Sequence, residues 1–193
     1  AAGLGALSLR LQGPVPPDVA LTRGLQAVVP QVLDWPAWVS ALGELPGVLG
    51  TLVLAAALAF AAGGVRTALA APIAYGLARL ADAALRVVLF VPRPDPDLVA
   101  VVGSGTSSGL PSTFGLTFGA LFGVVLWVRG PRRVRRVVVP VAGAMLVLGG
   151  LARILPGGHW PSQMLASLAL GLVLAWVAVS FSARLPLRGA GTA

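Results

Sequence analysis

The stretch RVVVPVAGAMLVLGGLARILPGGHWPSQMLASLALGLVLAWVAVSFSAR, residues 136–184, consists of two long apolar runs, closed at both outer ends by arginine and parted by a short polar link. Val137 to Ala152 and Pro161 to Ala183 are each apolar enough to cross about 30 Å of hydrocarbon, the first with help from its flanks. The link holds Arg153 and the chain's only histidine, His159. The fold implied is a pair of membrane-spanning helices with an arginine and a histidine at the tip.

Composition extends that reading to the whole chain. Of 193 residues, 57% are hydrophobic and 10% charged, and the mean hydropathy is +0.91, outside the range of a soluble domain. So few charges cannot cover a water-facing surface, and lipid must cover most of it. There is no cysteine, which removes disulfides and thiolate metal sites. The net charge of +8 would suggest a nucleic-acid partner in a soluble chain. Here every basic residue is arginine and most lie in links between apolar runs, so the charge is a topology signal and no nucleic acid is expected.

Three more runs, about Gly47 to Gly63, Arg66 to Val91 and Ser112 to Val128, bring the candidate spans to five. Unpaired backbone groups are not tolerated in lipid, so all should be helices, with irregular backbone confined to the links Pro92 to Pro111 and around Pro156. The expected fold is an all-α polytopic bundle of five to six transmembrane helices. Before it, DVALTRGLQAVVPQVLDW places Leu21, Leu25, Val28, Val29 and Val32 on one helical face with Arg23, Gln26 and Asp34 away from it. That pattern reads as an interfacial amphipathic helix capped by Asp18. The opening AAGLGALSL reads either as the end of a removed signal or as the end of an upstream span. The expected organisation is an N-terminal segment over 1–45, a transmembrane domain over 46–184 and a short tail over 185–193.

If the link RGPRRVRR is cytoplasmic, alternation puts Arg66, Arg129, Arg132, Arg133, Arg135, Arg136, Arg184 and Arg188 on that side. The other face keeps Arg86, Arg93 and Arg153 near its boundary, together with His159 and both irregular links. Singly, each is explained by snorkelling, a boundary mark or an interfacial anchor. Gathered at one face against the positive-inside trend, they point to an anion site.

Their order carries more. RVVLFVPRP gives Arg86, six residues, then Arg93-Pro94; GLPSTF holds Pro111, Ser112, Thr113 and Phe114; ARILPGGHWPSQ gives Arg153, five residues, then His159. These three motifs resemble those of the type 2 phosphatidic acid phosphatase family, which carries Lys-x6-Arg-Pro, then PSGH, then SR-x5-H-x3-D. The gaps of 16 residues from Pro94 to Pro111 and 37 from Phe114 to Ala152 suit it too. Three ordered motifs are far more specific than one.

The resemblance implies that Arg86, Arg93 and Arg153 grip the phosphate oxygens, with Ser112, Thr113 and nearby backbone N–H groups adding hydrogen bonds. It implies that His159 is the nucleophile, forming a phospho-histidine that water later releases, with no metal or other cofactor. Phosphoryl transfer is mostly positioning and charge neutralisation, which planar guanidinium groups serve well. The second and third motifs are degenerate. Phe114 stands where the family has the histidine that protonates the leaving oxygen. Gln163 replaces the aspartate four residues after the nucleophile; its amide oxygen could orient the imidazole but not stabilise its charge. Ala152 replaces the serine before Arg153.

Loss of a general acid typically costs about a hundredfold to ten-thousandfold. Two functions therefore stand side by side. One is an impaired phosphatase acting at the non-cytoplasmic face on a phosphorylated membrane lipid, such as phosphatidic acid or a polyprenyl diphosphate. The other is a non-catalytic phosphate-lipid binding or transport module within a membrane assembly. A plain structural bundle leaves the arginines unexplained. The glycine-rich run GSGTSSG, residues 103–109, reads equally as a phosphate-cradling loop and as a flexible linker. Arg79 and Asp82, inside the second span, are expected to pair with each other and to orient Arg86, a proton relay being the alternative. The expected setting is the bacterial plasma membrane, with membrane-protein partners or homo-oligomers open.

Overall fold

The computed structural model describes residues 2–29, 34–103 and 106–186. Val32, Ser104, Gly105 and Arg188, named above, lie outside the described residues, as does most of the expected tail. The described residues form eight helices: α1 (Ala2–Leu11), α2 (Pro16–Val28), α3 (Trp35–Ala41), α4 (Gly47–Gly63), α5 (Val65–Val88), α6 (Thr113–Trp127), α7 (Arg132–Ile154) and α8 (Pro161–Ser182).

The five apolar runs are α4 to α8. Three of them, α5, α7 and α8, are long and apolar enough to cross a membrane, at 24, 23 and 22 residues; α4 and α6 are shorter, at 17 and 15. At about 1.5 Å per residue α6 spans only about 22 Å. It need not meet lipid, because every residue from Phe114 to Val125 is buried. Helices α4, α5, α7 and α8 surround it. A helix apolar on all sides has no stripe to orient it and is stable only when enclosed.

Close approach of α6 to α8 depends on glycine. A side chain at Gly119 would strike the carbonyl of Leu168, and one at Gly171 would strike that of Leu116. Without side chains the two backbones come into contact, the usual way helices gain dispersion energy where no hydrophobic drive operates between them. Phe118 and Phe122 fill the core beside this seam, both fully buried.

The N-terminal region departs from the single amphipathic helix read from the sequence. Helix α2 stops at Val28, and Val29 is extended (φ −99°, ψ 116°). Pro30 follows it, and a proline ring disfavours helical backbone at the preceding residue. The polar side of α2 also faces inward. Gln26 donates to the carbonyls of Ala100 and Leu155, both at 2.8 Å, and Arg23 donates to that of Leu98 at 2.7 Å. Leu21 and Val28 are exposed instead. Asp18 sits three residues inside the helix rather than at its cap, and its Oδ2 accepts from the backbone of Val15 at 2.8 Å. That carboxylate is buried and also accepts from the backbone N–H and the hydroxyl of Ser162, at 2.9 and 2.6 Å, in the first turn of α8.

Candidate functional site

At one end of the bundle, the C-terminal parts of α5 and α7, the N-terminal ends of α4 and α6 and the links before α4, α6 and α8 surround a cavity of about 550 Å³. Arg86, Arg93, Thr113, Phe114, Arg153 and His159 all line it. Helix α5 delivers Arg86 from its last turn, and α7 delivers Arg153 from its own. The turn after α7 reverses at Gly157, whose φ of 68° is easily reached only without a Cβ. That reversal brings the His159 N–H back to the Arg153 carbonyl, at 3.1 Å.

His159 is buried, and both of its ring nitrogens are engaged. Nδ1 lies 2.9 Å from the Gly109 carbonyl oxygen, which can only accept, so Nδ1 carries the proton. Nε2 is then left with its lone pair, 3.2 Å from the Ser112 hydroxyl, which donates to it. The same hydroxyl oxygen caps α6 by accepting from the N–H of Gly115 at 3.2 Å. Burial, then repulsion from Arg153 and from Arg93, lowers the pKa of His159 to about 3. The imidazole is therefore neutral at neutral pH, and its electron pair accepts from Ser112.

The three arginines are held differently. Arg86 donates from Nε to Asp82 Oδ1 at 3.0 Å, and from Nη2 to the Pro111 carbonyl at 3.1 Å and the Thr113 hydroxyl at 2.8 Å. The Thr113 hydroxyl donates in turn to Asp82 Oδ2 at 2.8 Å, closing a ring of three side chains. Its proton is thus directed at Asp82 and not into the cavity. Arg93 is clamped by Ser107, through the carbonyl at 2.9 Å and the hydroxyl at 2.7 Å, and reaches the Gly158 carbonyl at 3.3 Å. Its pKa is lowered by burial and then by repulsion from Arg153 and Arg86. Arg153 has a buried Nε with no hydrogen-bond partner among the described residues, and its guanidinium carbon lies 5.8 Å from the Phe114 ring centre.

Two sequence expectations are corrected. Gln163 does not orient His159. Its Oε1 accepts from the Trp160 N–H at 3.2 Å and its Nε2 donates to the Pro92 carbonyl at 2.8 Å, so the amide is fully engaged beneath the site. The contact on the imidazole comes from the Gly109 backbone instead. Arg79 does not pair with Asp82 either, because Arg86 and Thr113 occupy both carboxylate oxygens. Arg79 is exposed and lines the cavity, as do Tyr75 and Glu44, which the sequence did not single out.

Phe114 is buried and stacks on Phe118, with ring centres 4.0 Å apart, so its part of the cavity wall is apolar. The run GSGTSSG is built into the site where it is described. Gly109 N–H donates to the Val91 carbonyl at 2.7 Å, and the Ser108 hydroxyl accepts from the N–H groups of Val91 and Leu110. The sequence left this run equally a phosphate-cradling loop or a linker, and Ser107, Ser108 and Gly109 brace Arg93, Val91 and His159 instead.

The family model of the PAP2 superfamily matches residues 67–186, more than half of the chain. Among solved structures, the chain is similar to the crystal structure of the first transmembrane PAP2 type phosphatidylglycerolphosphate phosphatase from Bacillus subtilis. The TM-score is 0.70 at 22% identity, over 90% of this chain and 87% of that one, which is a likeness of fold. No curated protein matches it.

Proposed function

The chain belongs to the PAP2 superfamily, and from that premise we propose that it is an integral membrane phosphatase of lipid phosphates or lipid diphosphates, working through a phospho-histidine at the non-cytoplasmic face. The observation that carries this reading is the convergence of a lone pair on His159 Nε2 with the unpartnered, buried donor of Arg153 in one cavity. Arg86 and Arg93 complete a cationic wall able to neutralise three phosphoryl oxygens. The Gly109 carbonyl does the orienting that a carboxylate does in a triad, without adding charge.

In the first step His159 Nε2 attacks phosphorus, an N–P bond forms and the P–O bond to the leaving group breaks. In the second, water attacks the phosphoryl group, the N–P bond breaks and inorganic phosphate leaves. The first step needs the imidazole neutral at the outset, which its lowered pKa provides. With Phe114 in the cavity wall, no proton is delivered to the leaving oxygen, so turnover is slow and a leaving group that is already a stable anion is favoured.

The sidedness rests on charge. Arg66 and Arg129 line a cavity at the opposite end of the bundle, and Arg132, Arg133, Arg135 and Arg136 open α7 there. That excess marks the cytoplasmic side.

A second reading, a phosphate-lipid binding module without turnover, draws support from the stacking of Phe114 on Phe118 where a proton donor would be needed. One experiment separates the two: phosphate release by the purified chain from a panel of lipid phosphates and diphosphates, against His159→Ala. A rate abolished by the substitution supports the enzyme. Lipid binding without release, unchanged by the substitution, supports the module.

A further inference from the structure

Among the described residues no acid pairs with Arg79. It lies inside α5, a helix long and apolar enough to span a membrane. A cation in such a place is costly unless it is paired or opens onto a water-filled cavity. Asp82, the acid within one turn, is fully engaged by Arg86 and Thr113. Arg79 has no hydrogen bond or ion pair among the described residues, and its side chain lines the same cavity as His159.

Its place along the helix matters. Arg79 precedes Arg86 by seven residues, two turns, so the two share a face with Arg79 about 10 Å closer to the middle of the helix. A lipid whose phosphate is held at His159 has its tail in the hydrocarbon, so its leaving group lies toward the interior. Phe114 is packed against Gly43, and Gly43, Phe114 and Arg79 all line the cavity. The cavity wall carries Arg79, Arg86, Arg93 and Arg153 against a single carboxylate, Glu44. Three guanidinium groups suffice for one phosphoryl group; the fourth is in excess.

We propose that Arg79 forms a second anion subsite, on the leaving-group side of His159, for a phosphate or phosphodiester placed between the reacting phosphate and the lipid tail. The inference rests on the phosphatase reading above and adds the substrate class. For a diphosphate it also accounts for turnover without an acid at Phe114, whereas with a diester there an alkoxide still has to be expelled. As the N–P bond forms at His159, the electron pair of the breaking P–O bond goes to the bridging oxygen of the leaving phosphate, and Arg79 neutralises the charge that arrives. No proton has to be supplied.

The test compares kcat/KM of the purified full chain for farnesyl diphosphate, phosphatidylglycerol phosphate and phosphatidic acid, in wild type, Arg79→Gln and Arg79→Lys. A hydrogen bond to a charged group sets a loss of roughly 10- to 100-fold. In Arg79→Gln the ratio of farnesyl diphosphate to phosphatidic acid turnover should fall by about that factor, with partial recovery in Arg79→Lys. A fall confined to farnesyl diphosphate places a directly bonded second phosphate in the subsite. A fall confined to phosphatidylglycerol phosphate places a diester there. Ratios unchanged for both substrates overturn the subsite. If wild type releases phosphate from none of the three, the phosphatase reading fails, and binding decides the subsite separately. Farnesyl methylenediphosphonate should then lose affinity in Arg79→Gln while farnesyl phosphonate does not, and equal affinities would overturn it.

Discussion

The carbonyl of Gly109 and the Nδ1 of His159, 2.9 Å apart, fix which nitrogen of the imidazole is free to react. A carbonyl cannot donate, so the proton stays on Nδ1 and the lone pair stays on Nε2, facing Ser112. The histidine is thus oriented by backbone that is itself tied to Val91. Burial, and then the neighbouring arginines, keeps the imidazole neutral.

That neutrality gives stability a pH dependence of known sign. The folded pKa of about 3 lies below the ordinary 6.5, so as pH falls through 6.5 the unfolded chain takes up a proton that the folded chain refuses. Stability from this group is constant above 6.5 and declines from there toward 3, at about 1.4 kcal/mol per pH unit. Thermal unfolding at about pH 7.5 and about pH 4.5 should show a larger drop for wild type than for His159→Gln. Equal drops would place the acid sensitivity elsewhere.

Gln163→Asp, which restores the residue found in the resembling family's motif, should harm this protein. Aspartate is one methylene shorter and, ionised, has no donor for the Pro92 carbonyl. It leaves a buried acceptor unsatisfied, at a cost of about 1–3 kcal/mol, and loosens the segment leading to Arg93. A lower unfolding temperature and lower turnover are expected. A gain in rate would show that the imidazole needs a carboxylate more than the site needs this brace.

Phe114→His should raise hydrolysis of monoesters more than that of diphosphates, because only the monoester has to expel an alkoxide. Loss of the stacking on Phe118 should cost about 0.5–1.5 kcal/mol of stability, visible in the same preparation. An equal gain on both substrates would sink the assignment of this position to the leaving oxygen.

Thr113→Val opens the ring that holds Arg86. The guanidinium keeps its bond to Asp82 but loses the hydroxyl, and Asp82 Oδ2 loses its donor. Phosphate affinity should weaken, read as a rise in KM of about tenfold with a smaller change in kcat. Thr113→Ser should behave as wild type, since it keeps the hydroxyl. A KM that stays at the wild-type value in Thr113→Val would mean that Asp82 alone positions Arg86.

The apolar helices are legible in the sequence because burial in lipid or in a helix bundle selects the same residues over a long, uninterrupted run. The bounds of α4 are those read from the sequence, Gly47 to Gly63. Helix α7 begins at Arg132 and not at Val137, since hydropathy ends where charge begins while arginine continues a helix readily. Arg86, Arg93, Arg153 and His159 are legible as a group because they stand in ordered motifs at the face that has few other arginines. Gly109 is not, because its part is played by a carbonyl that every residue carries. Gln26 and Asp18 mislead for a related reason. A polar face on a helix looks the same whether it meets water or the backbone of a neighbouring loop.

Asp18 has one more consequence. The first N–H groups of a helix have no partner within it, and that of Ser162 in α8 finds its acceptor on α2, 144 residues earlier in the chain. During synthesis the acceptor emerges first and waits through the insertion of every intervening helix. The start of α8, two residues beyond His159, can be completed only when that helix arrives. The segment that carries His159 is therefore braced from the far end of the described chain, and a chain in which α8 has not yet met α2 holds its arginines without that brace.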